Sequence, residues 1–186
     1  MSTVATNADT LYSSYRERLI EHLFVGEVLR ELWLSGVSQV EVLRAEVDGA
    51  GYDLVLECGS IVRHIQLKAT RKAGKRAAVE FHVKLAEKPS GCVVWVHFDP
   101  ETLRLDPFLW FGGPPGKPLL WSTGKLLSID DFKKGKHAKG DSAGRKAERP
   151  NIRRVPRSRF ERVDTIAALV ARLFGRLGHA TREGER

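Results

Sequence analysis

Two strand-like segments separated by a very short connection constrain the fold of this chain more than any other feature. Residues 52–57 and 61–70 are rich in β-branched and apolar side chains, and Gly59 and Ser60 lie in the tight connection between them. A connection this short joins antiparallel neighbours, because parallel strands need a crossover of a dozen or more residues. The sequence therefore predicts an antiparallel hairpin.

The polar residues of this hairpin fall into groups by strand parity. Side chains two residues apart in a strand point the same way, so Gln66 and Lys68 share a face. The hairpin register brings Asp53, near the start of the first strand, beside them, and it carries Glu57 toward the turn. A turn aspartate after Gly51 and a solvent-facing lysine are the alternative interpretations of Asp53 and Lys68.

A long helix is predicted before the hairpin. Apolar residues recur at helical spacing from residue 10 to residue 34, and Gly36 follows as a stop signal. Glu27 lies in a largely apolar stripe of this helix. A carboxylate turned toward a core is costly unless it is paired or bound to metal, so Glu27 is a candidate ligand. A glutamate at the stripe's edge, with its head in solvent, is the alternative.

The whole chain is predicted to be one α/β domain, with a mixed central sheet flanked by the N-terminal helix and a C-terminal helix. Its 186 residues suit a single domain with a substantial core. We expect a core at about residues 10–132, a basic loop at 133–159, a closing helix at 160–178 and a tail at 179–186. Further strands are expected at 37–47, 92–98 and 103–111, and a strand or short helix at 78–85.

The positive charge of the chain is concentrated in the expected loop. The net charge is +8, and residues 133–159 contain eleven Lys or Arg against two acids, so the rest of the chain is close to neutral. One basic segment indicates either a dedicated polyanion contact or a solvated loop. The candidate phosphate-binding residues are Lys133, Lys134, Lys136, Lys139, Arg145, Lys146, Arg149, Arg153 and Arg154.

Composition excludes other classes of protein. No apolar run approaches the length of a membrane span, and the first residues have neither the basic nor the apolar region of a secretion signal. Cys58 and Cys92 lack metal-ligand spacing, so we expect reduced thiols in the core. These features predict a cytoplasmic protein without membrane association.

The hairpin and the helix together offer the ligands of a divalent-metal site beside a phosphate. Mg²⁺ prefers oxygen ligands and usually takes one or two carboxylates, waters and substrate phosphate. Glu27 and Asp53 offer carboxylates, Gln66 an amide oxygen and Leu67 a main-chain carbonyl. Lys68 would orient or activate the attacking water, or offset charge that develops on the phosphate. The expected cofactor is therefore Mg²⁺ or Mn²⁺.

This constellation resembles the motif of the PD-(D/E)XK nuclease superfamily, over residues 10–70. The segments 46–53 and 65–70 also look like an uncharacterised bacterial group of domains in that superfamily. The resemblance implies a restriction-endonuclease-like core, with Asp53 as the first acid, Gln66 in place of the second, Lys68 as the motif lysine and Glu27 as the helix acid. It implies a metal-dependent nuclease that hydrolyses DNA phosphodiester bonds, and a homodimer, since such nucleases often act as dimers.

Gln66 leaves a second function open. A glutamine in place of an acid removes one negative metal ligand, which makes metal binding more dependent on Glu27. Tyr52 also stands before Asp53 where the motif has a proline. The alternative is a catalytically inactive module of the same fold that binds nucleic acid or a protein partner.

Overall fold

The computed structural model describes residues 12–45, 49–122, 124–137, 139–140, 142 and 144–175. These residues form a mixed α/β structure with two α-helices and eleven strands. The helices are α1 (Ser13–Leu34) and α2 (Ile166–Phe174). The strands are β1 (Val40–Arg44), β2 (Leu54–Cys58), β3 (Ile61–Arg71), β4 (Ala78–His82), β5 (Gly91–Phe98), β6 (Leu105–Gly112), β7 (Trp121–Ser122), β8 (Lys125–Leu126), β9 (Lys133–Lys136), β10 (Glu148–Pro156) and β11 (Glu161–Val163).

The central sheet has six strands in the order β1-β2-β3-β5-β6-β11. It is mixed, because β3 and β5 run parallel while the other neighbours are antiparallel. The two helices pack on the same face of this sheet, around Phe24, Leu32, Leu173 and Phe174. The predicted fold class, a mixed central sheet flanked by an N-terminal and a C-terminal helix, is confirmed.

The opposite face of the sheet is covered by a second, three-stranded sheet in the order β4-β10-β9. Val79, Phe81 and Val155 from this second sheet pack against Val93 and Trp95 of β5. All eight residues of β5 are buried, since both faces of the strand are covered. The unbroken apolar run that predicts this strand follows directly from its two-sided burial.

The predicted hairpin is present as β2 and β3. Their antiparallel register pairs Leu54 with Ile65 and Cys58 with Ile61. Gly59 takes a φ of 60° in the connection, a conformation that glycine adopts without steric cost. Cys58 and Cys92 are free thiols in the core, as predicted, and burial raises the pKa of Cys92 to about 12.

The prediction of a basic loop at 133–159 is wrong. This segment contains β9 and β10, which pair with each other and with β4. The strands form because Val155 is fully buried against the core while its neighbours Arg154 and Pro156 face outward, which is the alternation of a half-buried strand. Charge on the outer face conceals this alternation in the sequence.

The closing helix is shorter than predicted. Residues 161–163 form β11 beside β6, and the helix begins at Ile166. Thr165 caps it by accepting a hydrogen bond from the Ala168 N–H at 3.1 Å. The end of the predicted helix and the tail lie outside the described residues.

Residues 78–85 contain both of the predicted elements, because strand β4 is followed by a 3₁₀ turn at Val83–Leu85. No helix among the described residues is long and apolar enough to cross a membrane.

A buried arginine joins the C-terminal helix to the central sheet. Arg63 of β3 is fully buried and donates to the Leu173 carbonyl at 2.5 Å and the Arg172 carbonyl at 2.8 Å. It also donates to the Gly113 carbonyl through two nitrogens at 3.1 Å. Burial lowers the pKa of this guanidinium, but arginine stays protonated at neutral pH. The cation therefore satisfies carbonyls at the C-terminal end of α2, where the helix dipole is negative.

We predict that Arg63→Met lowers the free energy of unfolding by about 2–4 kcal/mol, because it leaves buried carbonyls without donors. Urea unfolding measures the change. Arg162→Met is the matched control, since this arginine is exposed, and it should change stability by less than about 0.5 kcal/mol. An Arg63→Met midpoint equal to that of the control would contradict the anchoring role.

Candidate active site

A cleft of about 930 Å³ opens where α1, β3 and the second sheet meet. Acids from α1 and the start of β2 line one side, β3 lies between, and cations of the second sheet line the other side. The charged lining residues are Glu17, Arg18, Glu21, Asp53, Lys68, Arg76, Glu80, Lys136, Arg149 and Arg154.

Asp53 is fixed against β3. Its N–H donates to the Ile65 carbonyl at 2.9 Å, and its Oδ2 accepts a hydrogen bond from the Leu67 N–H at 2.7 Å. A backbone donor to a carboxylate is a charge-assisted hydrogen bond, which is stronger than a neutral one. The carboxylate therefore lies at the segment from Gln66 to Lys68, where strand parity places it.

Lys68 lines the same cleft as Asp53 and Leu67. Its side chain is half-buried, and it has no ion-pair partner within the described part of the chain. An ammonium group in the cleft attracts an anion that enters it.

Gln66 lies in the interior and does not line the cleft. It is 6% exposed, and its Oε1 is a buried acceptor without a hydrogen-bond donor among the described residues. Leaving such an atom unsatisfied costs about 1–3 kcal/mol. Asp53 contacts the main chain on both sides of Gln66, at Ile65 and Leu67. A cation held beside Asp53 would supply the missing partner, so this orphaned oxygen fits a metal ligand.

The structure does not bring Glu27 to the cleft. The charged groups that act on it are Arg30, Arg104 and Asp106, and burial is the main cause that raises its pKa. Two other acids of α1, Glu17 and Glu21, line the cleft instead. Glu27 lies six positions after Glu21 in α1, which displaces it by about 9 Å along the axis and about 120° around it.

Glu21 is held next to the hairpin by the end of β1. It is 7% exposed and accepts from Arg44 Nε at 2.8 Å and from Arg18 Nη1 at 3.4 Å. Arg44 pairs with Leu54, the residue that follows Asp53. Glu17, one turn earlier, is exposed and has no cationic partner in the described part of the chain. Sequence analysis missed both acids, although their i,i+4 spacing marks a shared helix face.

Two arginines of β10 reach the cleft because the strand is irregular. Arg149 pairs with Gly135 and Arg153 with Lys134, so the register shifts between these two pairs. Residues five apart in a regular strand point to opposite faces, yet Arg149 and Arg154 both line the cleft. Glu80 accepts from Arg149 at 3.2 Å.

Arg153 does not bind phosphate in this arrangement, which corrects the prediction. It is 8% exposed and donates to the carbonyls of Pro150 at 2.6 Å, Ile129 at 3.3 Å and Ile152 at 3.3 Å. The same irregularity that turns Arg154 outward turns Arg153 inward, where backbone carbonyls satisfy its guanidinium.

The other predicted phosphate-binding residues divide by position. Lys136 joins Arg149 and Arg154 at the cleft. Lys133, Lys134 and Lys146 line a neighbouring concavity. Lys139 and Arg145 are exposed and line neither.

The oxygen atoms around Asp53 suit a hard cation that keeps part of its water shell. No group of three His, Cys, Asp or Glu side chains within the described residues converges on one point. The donors here are instead one carboxylate and the orphaned amide oxygen of Gln66, with Glu17 and Glu21 on the helix side of the cleft. Mg²⁺ commonly binds through one or two carboxylates plus substrate phosphate, so this set fits the expected ion.

No family model and no curated protein matches the chain. Among solved structures it is similar to Hjc, a Holliday junction resolvase of the archaeal hyperthermophile Archaeoglobus fulgidus. The identity is 13%, the match covers 80% of this chain and 98% of that chain, and the TM-score is 0.37. A similarity of this size does not assign a function.

We predict that Asp53→Ala removes the protection of the Leu67 amide against hydrogen exchange, because the side-chain acceptor is lost. Asp53→Asn keeps an oxygen at the same position and should retain most of the protection. Hydrogen exchange followed by NMR measures this amide directly. Glu57→Ala, on the same hairpin, is the control. Unchanged protection of Leu67 in Asp53→Ala would contradict the hydrogen bond.

Proposed function

We propose that the protein is a metal-dependent nuclease that hydrolyses phosphodiester bonds of DNA in this cleft. The main support is the placement of Asp53, fixed by the Leu67 N–H, in the same cleft as Lys68 and the cations of the second sheet. This combination offers a metal ligand, a positive charge and a phosphate-binding surface along one path.

The metal would be held by Asp53, Gln66 and the main-chain carbonyl of Leu67. When bound, Mg²⁺ or Mn²⁺ would polarise a phosphoryl oxygen and lower the pKa of a water ligand. The buried Gln66 Oε1 supports this assignment, because it has no donor among the described residues. The neutral amide contributes no charge, so a second carboxylate is needed near the ion.

We assign the role of helix acid to Glu17 instead of Glu27. Glu17 lines the cleft, and its carboxylate has no cationic partner in the described part of the chain. Glu21 lines the cleft too, but Arg44 and Arg18 already neutralise it. Glu17 therefore supplies the negative charge that Gln66 lacks.

Lys68 would act on the phosphate. Its ammonium group lies in a partly desolvated cleft, where a positive charge stabilises a developing oxyanion more strongly than it would in bulk water. It would offset the charge on the phosphorane-like transition state, or orient the attacking water. Arg76, Lys136 and Arg154 would bind the flanking phosphates from the opposite wall.

A catalytically inactive module that binds nucleic acid is the second candidate. Gln66 favours it, because the hairpin then presents a single carboxylate to the cleft. The same basic wall would bind a phosphate backbone without hydrolysis. A protein partner is the other ligand proposed for such a module, and a homodimer is a further proposal that rests on the family resemblance alone.

We predict that the purified protein cleaves labelled DNA with Mg²⁺ or Mn²⁺ and not with EDTA. Lys68→Ala should lower the cleavage rate about 10²- to 10³-fold, the usual cost of losing one transition-state contact. Lys125→Ala is the control, since this lysine is exposed and does not line the cleft. Equal rates for the wild type and Lys68→Ala would overturn the catalytic assignment. Salt-sensitive binding without cleavage would favour the inactive module.

The choice of helix acid gives a second test. Glu17→Gln should raise the Mg²⁺ concentration needed for half-maximal cleavage by about 10- to 100-fold, as expected for loss of a group that supports a metal site. Glu27→Gln removes the same charge from the same helix and should leave the Mg²⁺ dependence unchanged. The reverse result would restore Glu27 as the helix acid.

A further inference from the structure

Positive charge continues beyond the cleft onto the outer face of the second sheet. A second concavity of about 670 Å³ is lined there by residues of β9 and β10 together with Glu80, His137 and Lys146. It shares Glu80, Lys136 and Arg154 with the cleft. The two concavities therefore border each other, with Lys136 and Arg154 on their common boundary.

The register of the second sheet explains the shape of this surface. Arg154 pairs with Glu80 on one side and with Lys133 on the other, so these three side chains form one row across β4, β10 and β9. The row lies on the face opposite Val155, which is buried in the core. The outer concavity is thus built mainly on β9 and β10, with His137 and Lys146 added from beside the strands.

Most cations of this surface are not neutralised by the protein. Lys134 pairs with Glu148 at 3.3 Å. Lys133, Lys136 and Lys146 have no carboxylate partner in the described part of the chain. Like charges held close together on one small surface repel each other, and a polyanion laid across them relieves that repulsion.

Strand β10, which contributes residues to both concavities, is comparable in length to a short stretch of DNA backbone. β10 has nine residues and spans roughly 30 Å at about 3.3 Å per residue. A DNA duplex carries one phosphate per strand every ~3.4 Å, so this length corresponds to roughly nine base pairs. Residues 133–159 contain no Trp, Tyr or Phe that would stack on unpaired bases. Backbone contact with a duplex is the interaction that these residues favour.

We propose that the outer concavity is a second phosphate-binding site, which holds the part of a double-stranded DNA substrate that extends past the cleft. The proposal rests on the proposed function for the identity of the ligand in the cleft. Lys136 and Arg154 keep the backbone in contact as it passes from one concavity to the other. Lys133 and Lys146 bind only the extended part, so the affinity depends on duplex length.

The test uses the full chain with the Lys68→Ala substitution, without metal, so that binding is measured in the absence of cleavage. Duplexes shorter and longer than the span of β10 are titrated over a range of salt concentrations. Adding Lys133→Ala and Lys146→Ala should weaken binding of the long duplex about tenfold and reduce the salt slope by about two, because each lost contact contributes about 0.9. The single Lys133→Ala change should reduce the slope by about one.

The matched control adds Lys117→Ala and Lys125→Ala, which remove the same charge from outside both concavities. The proposal predicts that this control leaves the length dependence intact, and that the Lys133 and Lys146 changes lose their effect on the short duplex. An equal loss for both duplexes, no loss for either, or an equal loss in the control would overturn it. Absence of cleavage by the unsubstituted protein, with length-dependent binding intact, would contradict only the proposed nuclease activity.

Discussion

The parallel pairing of β3 with β5 determines where the second sheet and the cleft lie. Parallel neighbours cannot be joined by a tight turn, so the chain must cross over between Arg71 and Gly91. That crossover carries β4 onto the face of the central sheet opposite the helices. β4 in turn provides the edge on which β10 and β9 assemble. The basic second sheet, and the cleft between it and α1, are consequences of one crossover.

The hairpin was predictable because its determinants are local, whereas the identity of the helix acids that line the cleft was not. A two-residue connection and side-chain parity suffice to place Asp53 against the segment from Gln66 to Lys68. The position of a helical side chain relative to the cleft depends on where the helix crosses the sheet. The local spacing of apolar residues does not specify that crossing. Glu27 satisfies the apolar stripe yet lies with Arg104 and Asp106, while Glu17 and Glu21 line the cleft.

The prediction for the basic segment failed for a different reason. This segment forms strands, although its composition indicates a loop. Its outward side chains are charged or polar or are prolines, and a register shift interrupts the alternation between Arg149 and Arg153. Either the polar outer face or the register shift alone would weaken the alternation of apolar and polar residues, and together they leave no strand pattern in the sequence. The total charge predicts a surface that attracts anions, but the division of that charge between cleft, outer surface and core depends on pairing with β4.

The irregularity in β10 has a consequence for how this surface can change during evolution. In a regular strand, a cation is gained at the cleft only by substitution at an outward position. Here the segment from Pro150 to Ile152 sets whether Arg149 shares a face with Arg154, because pairing with β4 holds the rest of the strand in register and keeps Val155 in the core. Insertion or deletion of one residue in that segment would leave Arg154 outward and turn Arg149 to the other face. The affinity of the surface for an anion is thus encoded in the length of the strand as well as in its composition.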